Sequence, residues 1–130
     1  MVTGFEEFSY ELTELEQQRI YPKFIEAWKA RSFDVLITMK EMTDGMQDWI
    51  KKQNITTKRG KVYKMTGPRM RKIIHCARVK GDLINMIANS KGYFKTNDQN
   101  KIRDFIKSCR ERSNSFTEVA NALETYNFDR

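Results

Sequence analysis

The residues with the clearest chemical meaning in this chain are the basic side chains of residues 51–80. This block of 30 residues holds 11 Lys and Arg residues and no Asp or Glu. The first 50 residues carry a net charge of −5 and the last 50 a net charge of +1, so the block accounts for the whole formal charge of +7. Such concentrated positive charge is typical of a surface that binds polyanions. A solvated charged face is the alternative, but the absence of acids favours contact with nucleic acid.

The candidate nucleic-acid contacts lie on one predicted helix, on the connection before it and on the hairpin after it. Arginine can donate two hydrogen bonds to a guanine edge, and lysine can pair with phosphate. Free backbone amides at the start of a helix can also hold a phosphate. The residues expected to make contact are Arg69, Arg71, Lys72, His75 and Arg78 on the helix, Thr66 at its start, Lys58, Arg59, Lys61 and Lys64 in the connection, and Ser90 and Lys91 at the hairpin tip.

Catalytic and metal sites find little support in the sequence. The chain has no phosphate-binding glycine loop, no nucleophile elbow and no paired carboxylates in a basic setting. His75 is the only histidine, and no other metal ligands cluster near it. We therefore expect no enzyme activity, no metal and no cofactor. Cys76 and Cys109 lack ligand spacing and are expected to be small buried residues of a reduced protein.

Length and hydropathy set the broad class of the protein. A chain of 130 residues is expected to form one domain, preceded by a short leader over residues 1–12. The N-terminus is acidic and has no apolar signal region, and no apolar run is long enough to span a membrane. We expect a cytoplasmic protein with no membrane contact and no small-molecule substrate.

The first helix is predicted from a capping box. Thr13 and Glu16 have the spacing at which each side chain bonds the backbone N–H of the other residue. Apolar residues then recur at three- and four-residue steps as far as residues 31–32. Pro22 lacks a backbone N–H, so we expect a kink or a restart near Tyr21.

A short strand and a second helix follow. The apolar, β-branched run at residues 35–37 is long enough only for a small strand. Thr38 and Glu41 form a second capping box, which predicts a helix from Met39 to about residue 52. Gly45 weakens this helix but would permit the close approach of a neighbouring element.

The basic block continues as a connection over residues 53–65 and a third helix over residues 66–80. Gly60 predicts a turn in the connection. Thr66 can cap the helix, and Gly81 can end it. The apolar positions of the helix have the spacing i, i+3, i+4 and i+7, and they are Met70, Ile73, Ile74 and Ala77. The basic side chains are expected on the opposite face.

A β-hairpin and a long helix complete the chain. Apolar runs at residues 83–88 and 93–96, joined by the polar residues 89–92, predict the hairpin. Asn97 or Asp98 can cap a last helix over about residues 99–125. Its apolar residues follow heptad a and d spacing, interrupted by Arg112: Ile102, Phe105, Cys109, Phe116, Val119, Leu123 and Tyr126. This seam suggests a homodimer interface, and the alternative is that the helix folds back over the first helix.

The order helix, short strand, helix, helix, hairpin and long helix resembles the winged helix-turn-helix family. The resemblance covers residues 13–96, to which residues 97–130 add a C-terminal helix. Small bacteriophage-encoded winged-helix proteins are similar in the runs MRKIIH at 70–75 and ANSKGYF at 88–94. The resemblance implies a mainly α fold with a small hairpin (α+β). It also implies a recognition helix whose first turn, with Arg69, points at bases in the major groove. The hairpin would be a wing that lies over the flanking DNA backbone. It implies double-stranded DNA as the partner and, for a phage protein, the host cytoplasm. The connection of about 12 residues departs from the family's tight turn.

Three functions remain open from the sequence. The leading one is non-catalytic DNA binding by a transcriptional regulator or by a replication or packaging accessory protein. RNA binding is the second, and it would require exposed aromatic residues among Tyr63, Tyr93 and Phe94, which we expect to be covered. The third is a protein-binding adaptor or inhibitor on a winged-helix scaffold, because fold does not fix function.

Overall fold

The computed structural model describes residues 11–127, which divide into two compact units with the boundary after Lys95. The described residues form mainly helices and one two-stranded antiparallel hairpin, which confirms the predicted α+β class. In the first unit a π-helical turn (Glu16–Ile20) leads into α1 (Tyr21–Lys29), followed by α2 (Met39–Lys52), α3 (Gly67–Lys80), β1 (Met86–Asn89) and β2 (Gly92–Lys95). The second unit contains α4 (Gln99–Asn127). Most of the predicted leader lies outside the described residues.

The first helix begins at the predicted capping box. The backbone N–H of Thr13 donates to Oε1 of Glu16 at 2.8 Å, and the N–H of Glu16 donates to Oγ1 of Thr13 at 3.2 Å. The predicted break near Tyr21 is a change of helix type, because Tyr21 donates its N–H to the carbonyl of Glu16, five residues earlier. Pro22 follows in the first turn of α1 and has no N–H for the preceding turn, which is the physical reason for the change.

The second helix, α2, has the predicted range. Both capping-box hydrogen bonds between Thr38 and Glu41 are present, each at 3.1 Å. The close approach that Gly45 would permit does not occur within the described residues, because no neighbouring element places an atom within 4 Å of the position of an added Cβ. Gly45 lies on the exposed face of the helix and takes no part in packing.

The connection between α2 and α3 is a closed loop. Thr56 forms an antiparallel bridge with Val62, and Gly60 makes the predicted turn with a φ of 81°. The side chain of Gln47 on α2 donates to the carbonyl of Tyr63 at 2.9 Å and so fixes the returning arm of the loop. The long connection is therefore ordered by its own hydrogen bonds and by α2.

The β-hairpin is shorter than predicted. The strand expected over residues 83–88 starts only at Met86, so the prediction is wrong for its first three residues. These residues form a bend, closed by the N–H of Met86 donating to the carbonyl of Leu83 at 3.2 Å, which turns the chain after α3 and buries Leu83. In the hairpin Asn89 pairs with Gly92, and the two residues between them form the turn.

The apolar run at residues 35–37 forms a single β-bridge instead of the predicted strand. Ile37 and Tyr93 exchange two backbone hydrogen bonds of 2.8 Å each. The N–H of Asp34 donates to the carbonyl of Lys95 at 2.7 Å. The run therefore lies along β2 and adds a third chain segment beside the hairpin.

Gly92 makes this bridge possible, and Gly92→Ala is expected to disrupt it. An added Cβ would lie 2.6 Å from the carbonyl oxygen of Ile37, and the φ of 152° is rare for other residues. We expect a loss of about 1–3 kcal/mol in the free energy of unfolding in urea. We also expect faster amide exchange at Ile37 and Tyr93. Gly60→Ala is the control, since Gly60 has a φ of 81° but no atom within 4 Å of an added Cβ. Equal losses for the two variants would contradict a steric role for Gly92.

The apolar core of the first unit includes residues from the first helix through β1. Its buried members are Leu12, Ile20, Phe24, Trp28, Met42, Met46, Ile50, Ile55, Met65, Met70, Ile73, Ile74, Ala77, Leu83 and Met86. Cys76 is half-buried beside this cluster and is a free thiol. The core therefore fixes α3 by one face and leaves its other face to solvent.

The last helix, α4, begins as predicted and is helical through Asn127, the last residue that the structure describes. Asp98 caps it, since its Oδ1 accepts from the N–H of Asn100 at 2.9 Å. The apolar residues of the predicted seam differ in exposure: Ile102 and Phe105 are half-buried, whereas Cys109, Phe116, Val119 and Leu123 are exposed. The expectation that Cys109 is buried is wrong for the described chain, because every residue from 109 to 125 on this helix is exposed.

Candidate nucleic-acid interface

The helix α3 carries the candidate site on a firmly anchored scaffold. All four residues of its predicted apolar stripe are buried. The hydroxyl of Thr66 accepts the N–H of Arg69 at 3.3 Å and caps the helix, and Gly81 ends it with a φ of 85°. The predicted start, end and inner face of α3 are therefore confirmed.

Arg69 does not lie on the outer face of α3. Its side chain belongs to the buried interior, with only 4% of the residue exposed. Its Nε donates to Oε2 of Glu16 at 2.9 Å, its Nη2 forms an ion pair with Oε1 of Glu16, and Nη2 also donates to the carbonyl of Glu11 at 3.1 Å. A guanidinium held in this way cannot reach a base edge, so the prediction that Arg69 contacts nucleic acid is wrong. The reason is that Arg69 flanks the apolar stripe on the side where Glu16 supplies a buried carboxylate.

Glu16 is the centre of this buried polar cluster. Its carboxylate accepts hydrogen bonds from Arg69, from the hydroxyl of Tyr63 and from the backbone of Thr13. Burial alone would raise the pKa of Glu16, but these hydrogen bonds outweigh it and lower the pKa below its usual value. Burial and the bond to Glu16 raise the pKa of Tyr63. The cluster stays charged and fixes the first turn of α3 to the first helix.

The exposed face of α3 presents Arg71, His75 and Val79 at successive turns. Arg71 and His75 are exposed, and Val79 is 73% exposed. Lys72 lies beside this row and is half-buried. The guanidinium of Arg71 reaches back over the helix start, where an added Cβ on Gly67 would lie 3.5 Å from Nη2. Arginine can recognise guanine, and an apolar side chain can contact the methyl group of thymine, so this row suits a base edge in the major groove.

Arg78, which the sequence predicts on the outer face, is half-buried. Its guanidinium lies 5.5 Å from the ring centroid of Tyr93, and its Nη2 donates to the carbonyl of Met86 at 3.5 Å. These contacts join the end of α3 to the hairpin. The outward orientation predicted for Arg78 is therefore wrong, because the hairpin packs against that side of the helix.

The tip of the hairpin is a stiff turn with exposed polar side chains. Oδ1 of Asn89 accepts from the N–H of Lys91 at 2.8 Å and from the N–H of Gly92 at 3.2 Å. Ser90 and Lys91 are exposed, and residues that contact the backbone of a nucleic acid must be exposed.

A second basic cluster lies in the connection before α3. The bridge between Thr56 and Val62 places three basic residues in one turn, and all three are exposed: Lys58, Arg59 and Lys61. Lys64 is also exposed, on the arm that returns to α3. The structure therefore groups the predicted phosphate ligands of the connection into a compact loop.

The three aromatic residues that would indicate an RNA platform are not exposed. Tyr63, Tyr93 and Phe94 are half-buried. The hydroxyl of Tyr63 is bonded to Glu16, and the ring of Tyr93 packs against the core and under Arg78. The prediction that they are not exposed is confirmed, and half-buried rings do not form the open aromatic platform that RNA reading requires.

Two important residues of this region were not identified as such from the sequence. The sequence identifies Glu16 only as a capping residue, because its partner Arg69 lies 53 positions away and no local pattern connects the two. The sequence does indicate that Val79 is exposed, because helical periodicity places it on the side of α3 opposite the apolar stripe. An apolar side chain among basic residues on an outer face is a candidate for base contact.

Comparison with known proteins gave no assignment, since neither a family model nor a curated protein nor a solved structure matches the chain. Within residues 11–127 no three His, Cys, Asp or Glu side chains are grouped to hold a metal ion. None of the helices in that part of the chain combines the length and the apolar character needed to cross a membrane.

Proposed function

We propose that the protein binds double-stranded DNA without catalysis, through a winged helix-turn-helix core in which α3 is the recognition helix. The observation that supports this best is the exposed row of Arg71, His75 and Val79 on a helix whose other face is buried. No acidic residue occurs between residues 51 and 80 to repel phosphates. A transcriptional regulator or a phage replication or packaging accessory protein would use such a surface.

The arrangement of the first unit is compatible with this proposal. A winged helix-turn-helix core needs two helices before a hairpin and a third segment beside that hairpin. In the proposed core, α2 and α3 would be the two helices, and the segment that bridges to the hairpin at Ile37 would be the third segment. The turn of Ser90 and Lys91 would act as the wing tip on the flanking DNA backbone. The connection over residues 53–66 is longer than the family's tight turn, and its basic loop would add phosphate contacts.

The test is binding to a labelled random-sequence duplex at low salt. We expect the wild-type protein to bind, and Arg71→Ala/Lys72→Ala to weaken binding at least tenfold, because each substitution removes a base or phosphate contact of about 1 kcal/mol or more. Lys107→Ala/Arg110→Ala, on the exposed surface of α4, makes the same change in net charge and is the control. Circular dichroism of both variants checks that the fold is retained.

The outcomes separate the proposed function from its alternatives. Equal weakening by the two double variants would mean that net charge alone drives binding and that α3 is not the reading element. A failure of the wild-type protein to bind duplex at low salt would overturn the proposal. The basic block would then be a surface for an acidic protein partner.

A further inference from the structure

The second half of α4 exposes a row of apolar side chains. Phe116, Val119 and Leu123 are 74%, 56% and 59% exposed, respectively. They recur at three- and four-residue steps, so they lie along one side of the helix. Cys109, one heptad before Phe116, is exposed on the same side.

Charged residues avoid this side of α4. With Ile102 as a heptad a position, every charged residue between 102 and 127 falls at a b, c or f position, except Arg112 at d. The e and g positions beside the seam are small between residues 108 and 122: Ser108, Ser113, Ser115, Ala120 and Ala122. On a helix surrounded only by water, charged residues can occur on every side. On a helix that packs against a partner, charged residues are excluded from the packed side.

The two halves of α4 carry opposite charge. Residues 99–112 contain five basic and two acidic residues, a net charge of +3, and residues 113–127 contain two acidic and no basic residues, a net charge of −2. Two parallel copies of the helix would place like charge beside like charge. Two antiparallel copies would place the basic half of each beside the acidic half of the other, which is favourable.

We propose that two copies of the protein form an antiparallel homodimer through this face of α4. In an antiparallel pair of helices, each a position faces a d position of the partner. One register pairs every a position of the seam with a d position of the partner. Phe105 then faces the partner's Leu123, Cys109 faces the partner's Val119, and Arg112 faces the partner's Phe116. The paired segment over residues 105–123 is roughly 28 Å long at about 1.5 Å per residue.

Arg112 interrupts the apolar seam, and in the antiparallel pair it contacts an aromatic ring of the partner. Its alkyl stem and guanidinium lie against the ring of the partner's Phe116, a cation–π contact made twice near the two-fold axis. A single polar residue in an apolar seam fixes register and orientation, so Arg112 selects the antiparallel pair.

The first test measures the mass of the full chain by sedimentation over a wide concentration range. We expect twice the chain mass of 15.5 kDa. Phe116→Glu/Leu123→Glu is expected to give a monomer, and both residues are exposed, so the fold of the chain is retained. Asn114→Glu/Asn121→Glu changes the charge equally at outward f positions and is expected to stay dimeric. A monomeric wild-type protein, or a dimer that survives the first variant, would overturn the proposal.

The second test determines orientation with a short bismaleimide cross-linker in a Cys76→Ala background. Val119→Cys is expected to cross-link through Cys109 of one copy and the introduced thiol of the other. Val119→Cys/Cys109→Ala is expected not to cross-link. If instead the protein with Val119 unchanged cross-links between Cys109 and the partner's Cys109, the two helices are parallel and the antiparallel dimer is rejected.

The dimer is independent of the proposed function, because it is measured without DNA. The α4 variants leave α3 and the hairpin unchanged. DNA binding can therefore fail while the dimer is observed, and the dimer can fail while DNA binding is observed.

Discussion

Glu16→Gln is expected to destabilise the protein by roughly 3–5 kcal/mol, although it only replaces one carboxylate oxygen with an amide NH2 group. The carboxylate of Glu16 is the partner of the Arg69 guanidinium, and both groups are buried. The glutamine amide would leave the positive charge of Arg69 without its counter-charge and would weaken the hydrogen bond from Tyr63. Urea unfolding followed by circular dichroism measures the loss. Glu14→Gln, on the exposed side of the same helix, is the control and is expected to change stability by less than about 0.5 kcal/mol.

A double-mutant cycle distinguishes an ion pair from independent contributions. Glu16→Leu and Arg69→Met each leave one buried charge unpaired, whereas the combined variant removes both charges. We expect the combined variant to be more stable than the sum of the two single losses implies, because apolar replacement of a whole buried pair is often nearly neutral. Additive losses would show that the two side chains are not coupled.

The same pair predicts an acid dependence of stability. The folded protein holds the pKa of Glu16 below its usual value of 4.5. The contribution of the ionised carboxylate is therefore fully present above that value, and it is lost as the pH falls through the lower pKa of the folded state. The difference in unfolding free energy between the wild-type protein and Glu16→Gln should shrink in that acid range. A difference that is constant with pH would contradict a charged Glu16.

Affinity for a random-sequence duplex is expected to fall about a thousandfold between roughly 50 and 200 mM salt, as six phosphate contacts would require. The candidates are the exposed or half-exposed basic residues of α3, of the connection and of the hairpin tip: Arg71, Lys72, Lys58, Arg59, Lys61, Lys64 and Lys91. Each contact adds about 0.9 to the slope of log affinity against log salt. Fluorescence anisotropy at several salt concentrations gives this slope.

Substitutions in the loop before α3 test most directly how many phosphate contacts the protein makes. Lys58→Ala/Arg59→Ala/Lys61→Ala is expected to reduce the slope by between two and three, because it removes three phosphate contacts. Arg103→Ala/Lys107→Ala/Arg110→Ala removes three exposed basic residues of α4 and is expected to leave the slope unchanged. An unchanged slope in the loop variant would place the connection outside the DNA interface.

The burial of Arg69 changes where a recognition surface on α3 can begin. The first turn of the helix is fixed to the first helix by Glu16, so it serves stability instead of base contact. The outer row starts at Arg71 and continues through His75 to Val79. A variant that includes Arg69 would confuse loss of folding with loss of binding, which is why Arg71 and Lys72 are changed without it.

The sequence by itself determined the helices, their caps and the inner face of α3. The capping boxes at Thr13 and Thr38 and the glycine stop after α3 are confirmed, and the apolar stripe of α3 is buried as predicted. These features depend on residues within about four positions of each other, because helix caps and helix periodicity are local. A sequence pattern contains all the information that such features need.

The tertiary structure alone decided the roles of Arg69, Arg78 and the run at residues 35–37. Arg69 pairs with a residue 53 positions away, Arg78 packs against the hairpin, and Ile37 bridges to Tyr93. A basic residue at the edge of an apolar stripe can turn to solvent or to the interior, and only a buried carboxylate on a neighbouring element settles which. Contacts between distant segments depend on how the elements pack, and no local spacing in the chain encodes that packing.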